Sequence, residues 1–135
     1  MTRSRLTLNR PHSLSGKNNL DWFFKNRKWI RTSSLVVAEC AWAKRPLPIG
    51  EAGVRILLLA AKRSYKRAHD RNKIRRWLRA AIAETEEFSQ LEETMLSRGE
   101  QVLLMMRISK PIHAVQWDAI VSDAHTIAVH LAKRV

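Results

Sequence analysis

Lys62-Arg63-Ser64-Tyr65-Lys66-Arg67-Ala68-His69-Asp70-Arg71-Asn72-Lys73-Ile74-Arg75-Arg76-Trp77-Leu78-Arg79 places nine basic residues in eighteen positions against a single acid, Asp70. At about 100° per residue, Ile74, Trp77, Leu78, Ala81, Thr85 and Phe88 share one face of a helix. Asn72, Lys73, Arg75, Arg76 and Arg79 fall on the opposite arc. A helix written this way can dock on a sheet with one side and present cations with the other. The pattern predicts one long helix from about Ala68 to Leu96.

On the C-terminal side, Arg98-Gly99 opens a short apolar run, Glu100 to Ile108, which Lys110-Pro111 closes, so its length and flanks predict a strand. A second helix is expected from about Val115, where Trp117, Ile120, Val121, Ala124, Ala128 and Leu131 fall on one stripe. On the N-terminal side, Ser34 to Trp42 and Gly53 to Ala61 are β-compatible runs, separated by Lys44-Arg45-Pro46-Leu47-Pro48-Ile49-Gly50, a loop by its prolines and glycine. Between Lys17 and Trp29, the residues Leu20, Phe23 and Phe24, continued by Ile30, recur at near-helical spacing beside Lys25, Arg27 and Lys28. Met1 to about Gly16 has no sustained period and reads as an extended basic arm. Three strands and about three helices in this order give an α+β fold, helices packed on a small sheet. With 135 residues, one domain spanning the chain is expected.

The formal net charge is +13, more than solubility requires, and it points to a polyanionic partner. Residues 1–79 carry 20 Lys and Arg against 4 Asp and Glu, whereas residues 80–135 carry 5 against 8. The partner therefore meets the first part of the chain. A basic helix is often a solvated face balanced by acids one turn away. Here Glu84, Glu86, Glu87, Glu92 and Glu93 begin only after Arg79, which favours nucleic acid. Guanidinium forks bind phosphate oxygens in pairs or stack on bases, and Asn72 among them can meet a base edge or a ribose hydroxyl.

Other function classes find little support. A nuclease acting alone needs clustered carboxylates for metal or a histidine pair for proton transfer. His12, His69, His113, His125 and His130 are dispersed, and the spacing of five between His125 and His130, and between Asp118 and Asp123, does not align them on a helix, so these read as solvent-facing residues. Cys40 lies in an apolar stretch and reads as a buried, inert thiol. With no second cysteine, a reducing compartment is expected. No run approaches the length of a membrane span and no signal-type segment follows Met1, so a cytoplasmic protein is expected, with neither membrane nor small-molecule partner.

The basic stretch resembles the signature of the bacterial ribonuclease P protein subunit, a Lys-rich approach leading into Arg-Asn-Arg-hydrophobic-Lys-Arg-x-x-Arg. The corresponding residues are Lys62, Arg63, Lys66, Ala68, Arg71, Asn72, Lys73, Ile74, Arg75, Arg76 and Arg79, with Lys73 where the family usually has Arg and Arg75 where it has Lys. A glycine common in the approach is replaced at Lys66 or Arg67, and one that often follows the first helix is Arg27. The resemblance implies an α-β-β-β-α-β-α order with a four-stranded sheet, whose fourth strand the residue pattern does not place. It implies a protein that binds the catalytic RNA of ribonuclease P through Lys62, Arg63, Lys66, Arg67, Arg71, Asn72, Lys73, Arg75, Arg76 and Arg79. The 5′ leader of precursor tRNA would be gripped between the first helix and the sheet, with Leu20, Phe24 and Lys25 on the cleft side and Trp22 and Phe23 in the core or at its rim. On this resemblance the protein has no catalytic residues and holds no cofactor. Endonucleolytic removal of the leader would belong to the RNA subunit and its Mg2+ ions.

A structural RNA-binding protein of ribosomal type suits the size and charge equally. The register of Arg71 to Arg76 with Arg79, opening an amphipathic helix after a strand, is what separates the two. A DNA-binding helix lacks support, since neither a dimerising heptad nor a helix-turn-helix turn accompanies it.

Overall fold

The continuous runs of buried residues at 40–43 and 101–106 follow from a sheet covered on both faces. In the computed structural model, which describes residues 14, 16–30, 37, 39–46, 52–108, 110 and 114–135, the elements run α1 (Lys17–Asn26), β1 (Lys28–Trp29), β2 (Glu39–Pro46), β3 (Gly53–Ala60), α2 (Ala68–Glu84), α3 (Glu86–Arg98), β4 (Glu100–Ile108) and α4 (Trp117–Arg134). The basic arm up to residue 13, positions 34–36 of the first expected strand, the loop at 47–51, Pro111, His12 and His113 lie outside the described residues.

The sheet order is β1-β2-β4-β3, with β1–β2 and β2–β4 antiparallel and β3–β4 parallel. Every residue from Gln101 to Met106 in β4, which has a partner strand on either side, is buried. Cys40, Trp42, Val54, Ile56, Val102, Leu104 and Met106 join Ile74, Leu78 and Ile82 of α2, Phe88, Leu91 and Met95 of α3, and Ile120, Ala124, Ile127 and Leu131 of α4 in the larger core. Ala41, Ala43, Leu103 and Met105, the alternate residues, form a smaller core with Leu14 and Phe23 of α1, with Leu20, Trp22, Leu57 and Leu59 packed against it. Thus α1 holds one face of the sheet and the remaining helices the other.

Several expectations are corrected. The helix expected from Ala68 to Leu96 is two, so the fold has four helices and not three. The break is Thr85, whose backbone is extended (φ −86°, ψ 107°), while its Oγ1 donates to the Ala81 carbonyl (2.8 Å). A threonine hydroxyl competes in this way for a helix carbonyl, and the acids Glu86 and Glu87 then occupy the first turn of α3, where the helix dipole favours them. The missing fourth strand is β1, two residues long, where helical spacing had been expected to continue to Ile30. Ile30 instead enters the larger core, its N–H donating to the Cys40 carbonyl (2.9 Å). The strand expected to end at Trp42 runs on through Lys44 and Arg45 to Pro46, opposite Val102, Gln101 and Glu100. Proline is tolerated there because it closes the strand.

Asp123, expected to face solvent, is buried and accepts a hydrogen bond from the Val37 N–H (2.9 Å). Burial first, and then the Asp123 carboxylate, push the Cys40 thiol up to about 12, and the thiol is buried as expected. Gly53 is required where β3 begins: its φ is +113°, and a Cβ there would stand 2.3 Å from Oε1 of Glu92, whose Oε2 accepts from the Val54 N–H at 2.8 Å. Gly99 ends α3 in the left-handed region (φ 66°), turning the chain directly into β4.

Candidate nucleic-acid interface

The basic cluster is built on a pinned loop and the exposed arc of α2. At the end of β3 the chain turns through Lys62, Arg63 and Ser64, with the Ser64 and Tyr65 N–H groups donating to the Ala61 carbonyl (3.0 and 2.9 Å). Tyr65 is buried in the larger core and its hydroxyl donates to the Lys110 carbonyl. This plug leaves Lys62, Arg63, Lys66 and Arg67 exposed on either side of it. Arg71, one turn into α2, reaches back and donates to the carbonyls of Tyr65 (2.7 Å) and Lys66 (3.0 Å). Through Nη1 the guanidinium is a latch between helix and loop, and its Nη2 and Nε carry the remaining donors.

Along α2, Ile74 and Leu78 are fully buried, while Asn72, Arg76 and Arg79 are exposed and Lys73 and Arg75 half-buried. The expected division of faces is therefore present. Arg75 Nη1 donates to Asn72 Oδ1 (3.0 Å), which orients the guanidinium and leaves Asn72 its NH2 donors and one acceptor lone pair. Lys73 Nζ lies over the Trp77 ring, 4.9 Å from its centroid, and Trp77 meets Trp117 of α4 edge-on at 6.2 Å. Among the described residues no carboxylate pairs with a cation of the run; Glu39 is taken by Arg107 (3.3 Å), Glu100 by Lys44 (3.5 Å) and Glu87 by His125 (3.2 Å). The local field is thus set by unneutralised cations.

Beside the loop, a cavity of about 610 Å³ is lined by Glu39, Ala61, Lys62, Arg63, Ser64 and Arg107. It joins the loop cations to the end of β4. Arg107 escaped the sequence reading because it stands alone at the end of an apolar strand.

On the opposite face of the sheet, α1 sinks Phe23 into the smaller core and sets Leu20 and Trp22 against it. Phe24 and Lys25 remain exposed, Phe24 at 44%. Leu57 and Leu59 of β3 lie half-buried on this face, giving the helix a partly apolar flank. Arg45 links sheet and helix: its Nη2 donates to Asn19 Oδ1 (2.7 Å), its Nε to Gln101 Oε1 (3.0 Å), and its guanidinium lies 4.8 Å from the Trp22 ring centroid. Sequence reasoning missed Arg45 by placing it in a loop; the alternation Ala41, Ala43, Arg45 was the signal that could have found it.

No group of three or more His, Cys, Asp or Glu side chains converges among the described residues in a way that could hold a metal. No helix among them is long and apolar enough to cross a membrane. His69 is exposed at the start of α2, and His130 is half-buried on α4.

A family model described as Ribonuclease P matches residues 8–131 of the chain. No curated protein matches it.

Proposed function

Because the chain belongs to the ribonuclease P protein family, whose model spans nearly its whole length, we propose that it binds the catalytic RNA of that enzyme through the Lys62–Arg79 cluster and holds the 5′ leader of precursor tRNA along α1. The observation that carries this reading is the run of cations on the loop and on α2, which no carboxylate among the described residues pairs, on a helix whose other side is buried. Such a surface binds phosphates without regard to sequence. The leader half of the proposal is supported by Phe24, an exposed ring next to Lys25 on the helix that covers the sheet face where Leu57 and Leu59 lie half-buried. Stacking plus phosphate contact tolerates leaders of any sequence.

In this reading the protein acts in the cytosol as the accessory subunit. Cleavage is carried by the RNA and by Mg2+ held on the RNA, and the protein contributes the cationic surface that meets it. The residues of the protein position RNA and exclude nothing from it by chemistry of their own. The ribosomal-type alternative finds no specific observation in its favour.

Reconstitution tests the proposal. RNA-free protein should leave precursor tRNA intact, and the protein with its cognate RNA subunit should cleave it at lower Mg2+ than the RNA alone. Turnover by protein freed of all RNA would refute the division of labour. Phe24→Ala should weaken binding of leader-bearing substrate by about 1–3 kcal/mol, the worth of one stacked base, and leave binding of mature tRNA as it was. Equal weakening for both would mean that the substitution damages the fold instead.

A further inference from the structure

Phe24, Trp29 and Leu96 are the large apolar side chains left exposed among the described residues, and two of these three flank Arg27. The Arg27 guanidinium lies 4.9 Å from the Phe24 ring centroid and 4.6 Å from that of Trp29. A row of ring, guanidinium and ring therefore leads from the end of α1 to the outer edge of the sheet.

Past Trp29, a pocket of about 370 Å³ opens between β1, β2 and the last turns of α4, lined by Lys28, Trp29, Trp42, His130 and Arg134. In the register of β1 on β2, Lys28 stands opposite Trp42 and Trp29 opposite Ala41, so Trp29 lies on the α1 face with Arg27 and bounds the pocket from the outer edge of the sheet. Lys28 Nζ sits 5.3 Å from the Trp42 ring centroid. Among the described residues no acid lines the pocket. His130 is held below its ordinary pKa by burial first and then by Arg134 and Lys133, so near neutral pH it offers a neutral ring. Two indoles, an imidazole and two cations form a surface suited to a flat π system carrying a negative charge.

We propose that this edge pocket takes one unstacked nucleotide of single-stranded RNA, its base on Trp29 and its phosphate between Lys28 and Arg134, and so extends the leader path beyond Phe24. The inference rests on the leader reading above and adds a subsite that only a leader long enough to turn the end of α1 can reach. Arg27, in the turn after α1, is the link, since its guanidinium joins the two exposed rings into one continuous stacking track.

The test compares holoenzyme binding of two precursor tRNAs, with leaders of about 4 and about 12 nucleotides, the range one single-strand binding fold covers. Wild-type protein should favour the long leader. Trp29→Ala should lower the long-to-short affinity ratio by about fivefold or more, the effect of one lost base stack. Arg134→Gln, at an exposed helix end where no core is disturbed, should also lower the ratio and reduce the salt slope for the long leader by about 0.7. A ratio that stays at the wild-type value in both variants, or a wild type that does not favour the long leader, overturns the proposal. Phe24→Ala keeps the two readings apart: it should weaken both leaders alike against leaderless tRNA. An unchanged response to Phe24→Ala beside an altered ratio in Trp29→Ala would remove the cleft reading and retain the pocket.

Discussion

Leu78→Ala is expected to cost about 2–5 kcal/mol of folding free energy, the range for removing a fully buried leucine from a core that cannot collapse around the gap. Leu78 is fully buried on α2, in the cluster that also holds Ile74, Ile82, Phe88 and Leu104. Urea unfolding would read the loss as a lower midpoint with an unchanged slope. In filter binding, the folded fraction of the variant should show the salt dependence of the wild type, because the exposed arc of α2 is untouched. Preserved stability together with an altered salt slope would mean that the helix faces the other way, and the assignment of its cations would fall with it.

The orientation of α2 was legible because both of its faces are written in long side chains of opposite character. Ile74, Leu78 and Ala81 recur with the helical period, and Arg75, Arg76 and Arg79 fill the gaps between them. The division of the helix at Thr85 was not legible for the same reason. Phe88, Leu91 and Met95 of α3 pack in the same core as Ile74, Leu78 and Ile82 of α2, so the apolar period runs on through a single extended residue. The only local sign was a β-branched residue between Glu84 and Glu86, a weak signal against a strong periodicity. β1 was hidden by its length, since two residues cannot display alternation. Lys44 and Arg45 were read as loop because Pro46 follows them, although proline is no obstacle at the last position of a strand.

The chemistry of the site was legible in kind and less so in detail. Charge density alone located the Lys62–Arg79 cluster, and the resemblance supplied the roles expected of it. The latch formed by Arg71 depends on two carbonyls that only the folded loop brings within reach. Asp123 likewise looked like any polar residue of α4 until the fold placed the Val37 N–H against it. Long-range partners of this kind leave no trace in local spacing, whereas amphipathic faces do.

The affinity of the protein for its RNA is expected to fall by roughly 300- to 2,000-fold when salt rises from about 50 to about 200 mM, if each exposed cation of the cluster releases about 0.7–0.9 counterion on meeting a phosphate. Six cations of the run are exposed, Lys62, Arg63, Lys66, Arg67, Arg76 and Arg79. Arg76→Gln should reduce the magnitude of the log-affinity against log-salt slope by about 0.7–0.9 and leave stability within about 0.5 kcal/mol of wild type, as for surface substitutions in general. Arg71→Gln should behave differently, because its guanidinium already donates to Tyr65 and Lys66 carbonyls. Loss of those two charged hydrogen bonds should lower stability by about 1–3 kcal/mol and loosen the loop that carries four of the six cations. Its salt slope should therefore change less than its unfolding midpoint, whereas for Arg76 the order is reversed. If Arg71→Gln matched Arg76→Gln in slope and kept wild-type stability, the latch would be a phosphate contact after all. If neither substitution moved the slope, RNA would be meeting some other part of the surface.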